Sequence, residues 1–135
     1  MAEERKKILI AEDDLMLLDI MAERLSQENF EVIKAKDGEE ALALALKLRP
    51  DLILLDILMP KMDGVTMLKK LREDKKSLAT PVIILTNVGY GQQIEEALKH
   101  GVQDFLVKTN WKLEDVVEKI KQKLAINGFK SNQAE

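Results

Sequence analysis

Short apolar runs alternate with stretches of helical periodicity five times along this chain. Ile8-Leu9-Ile10 is the first predicted strand. Leu18, Met21, Ala22 and Leu25 then recur at spacings of three and four, the signature of an amphipathic helix. Glu31 to Ala35 is a more polar strand, expected near a sheet edge. Asp37-Gly38 forms a turn, and Asp37 is placed to cap a helix carrying Ala41, Ala45 and Leu48. Pro50-Asp51 closes that helix and opens the most apolar stretch, Leu52 to Leu55, which runs straight into Asp56. An uninterrupted apolar run bounded by turn residues reads as a strand buried on both faces. Gly64, Leu68 and Leu71 line the next helix, and 74–81 reads as a polar loop. Val82 to Leu85 is a fourth, buried strand. Ile94, Ala97 and Leu98 mark a short helix closed by Gly101. Phe105 to Val107 is the fifth strand, and Leu113, Val116, Val117, Ile120 and Leu124 mark the last helix.

Strand and helix alternating in this way predict an α/β fold, a parallel sheet covered by helices on both faces. Right-handed crossovers restrict the topology, but alternation alone leaves the strand order open. The 135 residues suit one domain. That domain is expected over 6–126, followed over 127–135 by a polar stretch that is either a frayed tail or the remnant of a clipped linker, with no output domain in the sequence after 126.

Composition narrows the classes of function. No apolar run approaches the roughly 20 residues that span a bilayer, and the apolar segment after the charged N-terminus is too short for a signal peptide. The absence of cysteine rules out disulfides and thiolate metal sites, so a cytoplasmic setting is expected. A net charge of −3, with basic residues spread among acids, argues against direct nucleic-acid binding.

The chemistry lies at the strand ends. Strand one runs into Glu12-Asp13-Asp14, strand three into Asp56, strand four into Thr86 and strand five into Lys108. In a parallel sheet these ends share one edge, where ligands of open α/β sheets gather. Glu12, Asp13 and Asp56 bring three negative charges and Lys108 one positive. Carboxylates crowded together resist ionising, and a hard divalent cation such as Mg²⁺ relieves the repulsion while bridging to phosphate oxygens. Asp56 is the natural nucleophile, with Lys108 and Thr86 available to phosphoryl oxygens. Singly, each residue has a plainer role: Asp14 as a helix cap, Thr86 as a structural hydroxyl, Lys108 as a solvated charge. His100, the sole histidine, fits the C-terminal end of a helix. Trp111 and Tyr90 read as packing or surface residues.

Residues 6–126 resemble the receiver domain of bacterial two-component response regulators. The resemblance rests on Ile8-Leu9-Ile10-Ala11-Glu12-Asp13-Asp14, on Leu54 to Gly64 with Asp56 at the phosphoacceptor position, on Pro81 to Thr86, and on Asp104 to Lys108. It implies a flavodoxin-like sheet of order 2-1-3-4-5. It also implies that Asp56 accepts a phosphoryl group from a sensor histidine kinase or phosphotransfer protein. Glu12, Asp13, Asp56 and the Leu58 carbonyl would hold Mg²⁺. Thr86 and Lys108 would bind phosphoryl oxygens, and Phe105 would be the aromatic switch residue. A homodimer through the face of helix four, strand five and helix five is compatible with this reading. So is a pseudo-receiver that works by protein interaction alone, although the set of Asp13, Asp56, Thr86 and Lys108 speaks against it. An aspartate-nucleophile phosphatase would carry an acid two residues after the nucleophile, where this chain has Leu58. A flavin site would need a hydroxyl-rich phosphate loop after strand one, which is absent.

Three positions depart from the family pattern. Glu12 stands where aspartate is commoner, and is expected to reach the metal through water. Asn87 follows Thr86 where a small residue is usual. Thr109 follows Lys108 where proline is usual, so the bond there is expected to be trans, or else a strained cis bond held by its surroundings. Leu58 and Val88 are apolar flanks expected to hinder water and prolong phosphorylation.

Overall fold

The computed structural model describes residues 4–87, 91–102, 104–110 and 112–124. Strands β1 (Lys7–Ala11), β2 (Glu31–Ala35), β3 (Leu52–Asp56), β4 (Val82–Thr86) and β5 (Asp104–Val107) alternate with helices α1 (Leu15–Gln27), α2 (Gly38–Leu48), α3 (Gly64–Arg72), α4 (Gln92–Leu98) and α5 (Leu113–Leu124). All pairings are parallel, in the order β2-β1-β3-β4-β5. This is the flavodoxin-like arrangement, with the polar β2 at an edge as its composition predicts.

Alternation within each strand divides the core in two. Leu9, Ile53, Leu55, Val82 and Ile84 face one way, onto buried residues of α2, α3 and α4. Ile8, Ile10, Leu52, Leu54, Ile83 and Leu85 face the other, onto α1 and α5. Every residue of β3 and β4 is buried, which is why these strands are continuous apolar runs while β2 is not.

Aspartates begin three of the helices. Asp14, Asp37 and Asp63 accept backbone N–H bonds from Leu17, Glu40 and Thr66, satisfying donors that the helix itself leaves unpaired.

Two details differ from the sequence-based expectation. The polar loop over 74–81 contains a 3-10 turn at Lys75–Ser77, pinned where Ser77 is buried and bonded to Asp74. Leu98 is 55% exposed although its spacing suggests the core. Helix α4 spans only two turns and buries Ile94 and Ala97; Leu98 lies one residue past Ala97, about 100° further around the helix. No cis peptide bond occurs among the described residues, so the Lys108–Thr109 bond is trans. Val88, Tyr90, Trp111 and the tail over 127–135 lie outside the described residues.

Candidate functional site

Register brings the strand ends into one place. Ala11 pairs with Leu55, Asp56 with Leu85, and Thr86 with Val107. Glu12 and Asp13 therefore leave β1 beside Asp56, and Lys108 leaves β5 beside the end of β4. Carboxylate oxygens of Glu12, Asp13 and Asp56 all lie within 4.8 Å of one another. They open on a cleft of about 440 Å³ whose wall also includes Leu58, Asn87 and Lys108.

The loop after Asp56 is held close beneath the site. The Gly64 N–H donates to the Ile57 carbonyl at 2.7 Å, and Lys61 adopts a left-handed conformation at φ 69°. A Cβ on Gly38 would stand 1.9 Å from the Met62 carbonyl oxygen, so only glycine lets the start of α2 pack against this loop.

Burial differs sharply among the acids. Glu12 is fully buried, Asp56 nearly so, and Asp13 is exposed. Lys108, which a sequence alone would leave in solvent, has a side chain only 10% exposed. Its Nζ lies 2.5 Å from Glu12 Oε1 and 3.3 Å from Asp56 Oδ2. Burial, reinforced by the negative charge of Glu12, pushes the Asp56 carboxyl up to about 7, against the opposing pull of Lys108. Burial alone would push the Lys108 ammonium down, but Glu12 and Asp56 outweigh it and hold it above its ordinary value.

These residues suit a divalent cation. Three carboxylates and one ammonium leave an excess of negative charge. Moreover, Glu12 Oε1 is buried, and its charge partner among the described residues is the Lys108 ammonium at 2.5 Å. A buried carboxylate oxygen with so few partners has capacity for a further ligand.

The remaining sequence-predicted residues fall as follows. Thr86 is completely buried at the end of β4 and is not among the residues lining the cleft. Phe105 is half-buried and packs against the core beneath α2, α3 and α4. Leu58 lines the cleft and is 52% exposed. His100 sits past the end of α4, 3.7 Å from Glu96, away from the cleft. Leu17 also lines the cleft and carried no sequence signal, because it stands off the buried stripe of α1 marked by Leu18 and Leu25.

The response regulator receiver domain matches residues 8–121. The chain belongs to this family. Among curated proteins, the receiver is 38% identical over 102 residues to the DNA-binding dual master transcriptional regulator RpaA of Synechocystis; this covers 76% of the chain and 42% of that protein. The chain thus spans less than half of that relative. Among solved structures, a CheY-like receiver domain from Methanospirillum hungatei superposes with a TM-score of 0.85 at 31% identity, covering 90% of the chain and 95% of its counterpart. CheY in the CheX–CheY–BeF3–Mg²⁺ complex of Borrelia burgdorferi gives a TM-score of 0.78 at 30% identity, with 87% and 88% covered. Receiver domains are signalling phosphoacceptors that work with histidine kinases or phosphotransfer proteins, not enzymes of metabolism. No helix among the described residues is long and apolar enough to cross a membrane.

Proposed function

We propose that residues 6–126 form a phosphoacceptor unit in which Asp56 takes a phosphoryl group from a phosphohistidine on a sensor kinase or phosphotransfer protein. An Asp56 oxygen attacks phosphorus, the phosphorus–nitrogen bond breaks, and the electron pair stays with the imidazole. The observation that carries this reading is Asp56 itself. It is nearly buried at the end of β3, its carboxylate within 4.8 Å of those of Glu12 and Asp13, and 3.3 Å from the Lys108 ammonium. Phosphoryl transfer needs chiefly positioning and charge stabilisation, and this set offers both.

Glu12, Asp13 and Asp56, with Leu58 at the rim, would hold Mg²⁺, which supplies positive charge to the phosphoryl oxygens when bound. Lys108 stabilises the same oxygens. Thr86 follows the phosphoryl group and Phe105 responds to it, so the output is a change of shape. The CheX–CheY–BeF3–Mg²⁺ complex of the Borrelia relative supports the pairing of a phosphoryl mimic with Mg²⁺ on this fold. Signalling in the cytoplasm, without direct contact of the receiver itself to nucleic acid, completes the reading. A homodimer through α4, β5 and α5 is compatible with it.

The test is to treat the protein with Mg²⁺ and acetyl phosphate, or with beryllofluoride. An acyl phosphate on Asp56, absent from Asp56→Asn, is expected. If neither reagent modifies or shifts the protein, the phosphoacceptor reading fails and a pseudo-receiver takes its place.

A further inference from the structure

Basic residues are spread among acids along the chain, but folding gathers the uncommitted ones. Arg5 and Lys6 precede β1, Lys47 and Lys70 lie in the last turns of α2 and α3, and Lys75 and Lys76 form the 3-10 turn. All are exposed, and none has an ion-pair partner among the described residues. The strands are parallel, so each helix carries the chain back from the Asp56 edge of the sheet. The start of β1, the ends of α2 and α3 and the 3-10 turn therefore share the opposite edge. Among the described residues, the other exposed cation without an ion-pair partner is Lys112, which precedes α5 at the Asp56 edge.

These cations stand on one continuous surface. Lys7 Nζ donates to the Leu48 carbonyl at 3.3 Å, which joins the start of β1 to the end of α2. Arg49, just past α2, pairs with Asp74 and donates to Ser77 Oγ at 3.2 Å, which joins α2 to the 3-10 turn. Arg5, Lys6, Lys7 and Arg49, with Glu4 and Asp51, enclose a notch of about 190 Å³. Helix C-termini attract cations on their own account, and that explains Lys47 and Lys70. It does not explain Arg5, Lys6, Lys75 and Lys76, which lie outside the α-helices. Two of the nearby carboxylates are engaged: Asp51 accepts the Lys7 N–H at 2.7 Å, and Asp74 accepts the Ser77 hydroxyl at 2.7 Å besides pairing with Arg49. A positive end thus stands on a chain of net charge −3.

Two features select the kind of partner. Leu46, beside Lys47, is 36% exposed, and Leu78, beside Ser77, is 59% exposed, so the surface offers apolar contact as well as charge. Glu4, Glu31 and Glu73 are exposed and interrupt the positive field. A uniform polyanion, such as duplex DNA or an anionic lipid layer, would bring negative charge against them, whereas a polypeptide can set its acids only where the cations are.

We propose that this edge is a docking face for an acidic, leucine-bearing segment of a partner protein. It lies at the far end of the sheet from Asp56, so a docked partner leaves the Asp56 cleft open. The inference does not depend on phosphorylation of Asp56.

The experiment titrates the protein with a synthetic peptide of glutamates interspersed with leucines and follows amide chemical shifts. Parallel arms use the same peptide with serine for leucine, a short DNA duplex, and vesicles containing phosphatidylserine, all at the same salt. Shifts confined to 5–7, 46–51 and 74–78 are expected, weakening as salt rises. Lys75→Glu with Lys76→Glu should weaken the leucine peptide about 10-fold, since each reversal replaces an attraction by a repulsion. Lys112→Glu, a reversal at the other edge, should change binding less than about 2-fold. The neutral pair Lys75→Gln with Lys76→Gln should fall between the natural chain and the double reversal, which keeps the test open if the reversal harms folding. Equal binding of the serine and leucine peptides would reduce the face to general ionic attraction and overturn the proposal. Tighter binding of the duplex or the vesicles would overturn it in favour of a polyanion or a membrane. Shifts centred on the Asp56 cleft, or none at all, would overturn it as well.

Discussion

A Cβ on Gly64 would stand 2.3 Å from the carbonyl oxygen of Asp56. The obstacle is backbone, not a flexible side chain, so the chain must shift to admit it. Gly64 opens α3 and donates to the Ile57 carbonyl, which makes this residue the floor on which the Asp56 turn rests. Gly64→Ala should lower stability by about 1–3 kcal/mol, the usual cost of forced overpacking. A urea midpoint measures it. Beryllofluoride should also bind more weakly, because the displaced atoms include those of Asp56. Wild-type stability together with wild-type uptake would show that the contact is not limiting.

Stability should depend on pH through Asp56. Its folded value is raised to about 7, so the native state holds this proton more tightly than the unfolded chain does. The contribution is complete below about pH 4, the ordinary carboxylate value, and is lost as pH rises towards 7. Glu28 and Asp104 act in the opposite sense. The side-chain bond from Lys121 depresses Glu28; at Asp104, burial pushes up but Lys119 and the Phe105 N–H prevail, so both stabilise the fold at higher pH and cease to do so in acid. Without metal, unfolding free energy should therefore decline between pH 5 and pH 8. Asp56→Asn should flatten that decline. Urea titrations at both pH values in a chelator decide the matter, and an equally steep decline in Asp56→Asn would refute the assignment.

Arg72 ties α3 to the end of α4. Its guanidinium donates to the carbonyls of His100 at 2.8 Å, Gly101 at 3.0 Å and Ser77 at 2.5 Å, and burial pushes its pKa below the usual value. Arg72→Met should cost about 2–4 kcal/mol, since charge-assisted bonds are lost and carbonyl oxygens are left unsatisfied. Arg72→Lys should recover little, because one ammonium does not reproduce the planar fork. Hydrogen exchange over 98–102 should rise in both variants, more than over α1.

Leu58 offers an apolar wall to the cleft beside Asp56. Replacing it by a residue that can hold water should speed hydrolysis of the acyl phosphate. A Leu58→Asn protein should lose its phosphoryl group several-fold faster than the natural chain. The decay of phosphorylated protein on Phos-tag gels provides the clock, and an unchanged half-life would refute the shielding role.

Much of this could be seen along the chain. The apolar runs of β3 and β4 announce burial on both faces, and Asp14 and Asp37 announce caps, because these signals depend on neighbours a few residues away. The sequence also placed Asp56, Thr86 and Lys108 at the ends of separate strands. Strand order came only with the family resemblance, since alternation fits several right-handed windings. Leu98 misled because spacing says where an apolar face points but not how far the protein extends to cover it. What only the tertiary structure decided is the partnership at the site. Glu12 and Lys108 are nearly a hundred residues apart, and each looks like an ordinary surface charge in its own neighbourhood. The lateral pairing of β1, β3, β4 and β5 buries both and brings them together, and with them comes the high proton affinity of Asp56. The strand ends already placed these charges along one edge; their burial and the direct contact of Lys108 with Glu12 are properties of the packing, which no local pattern encodes.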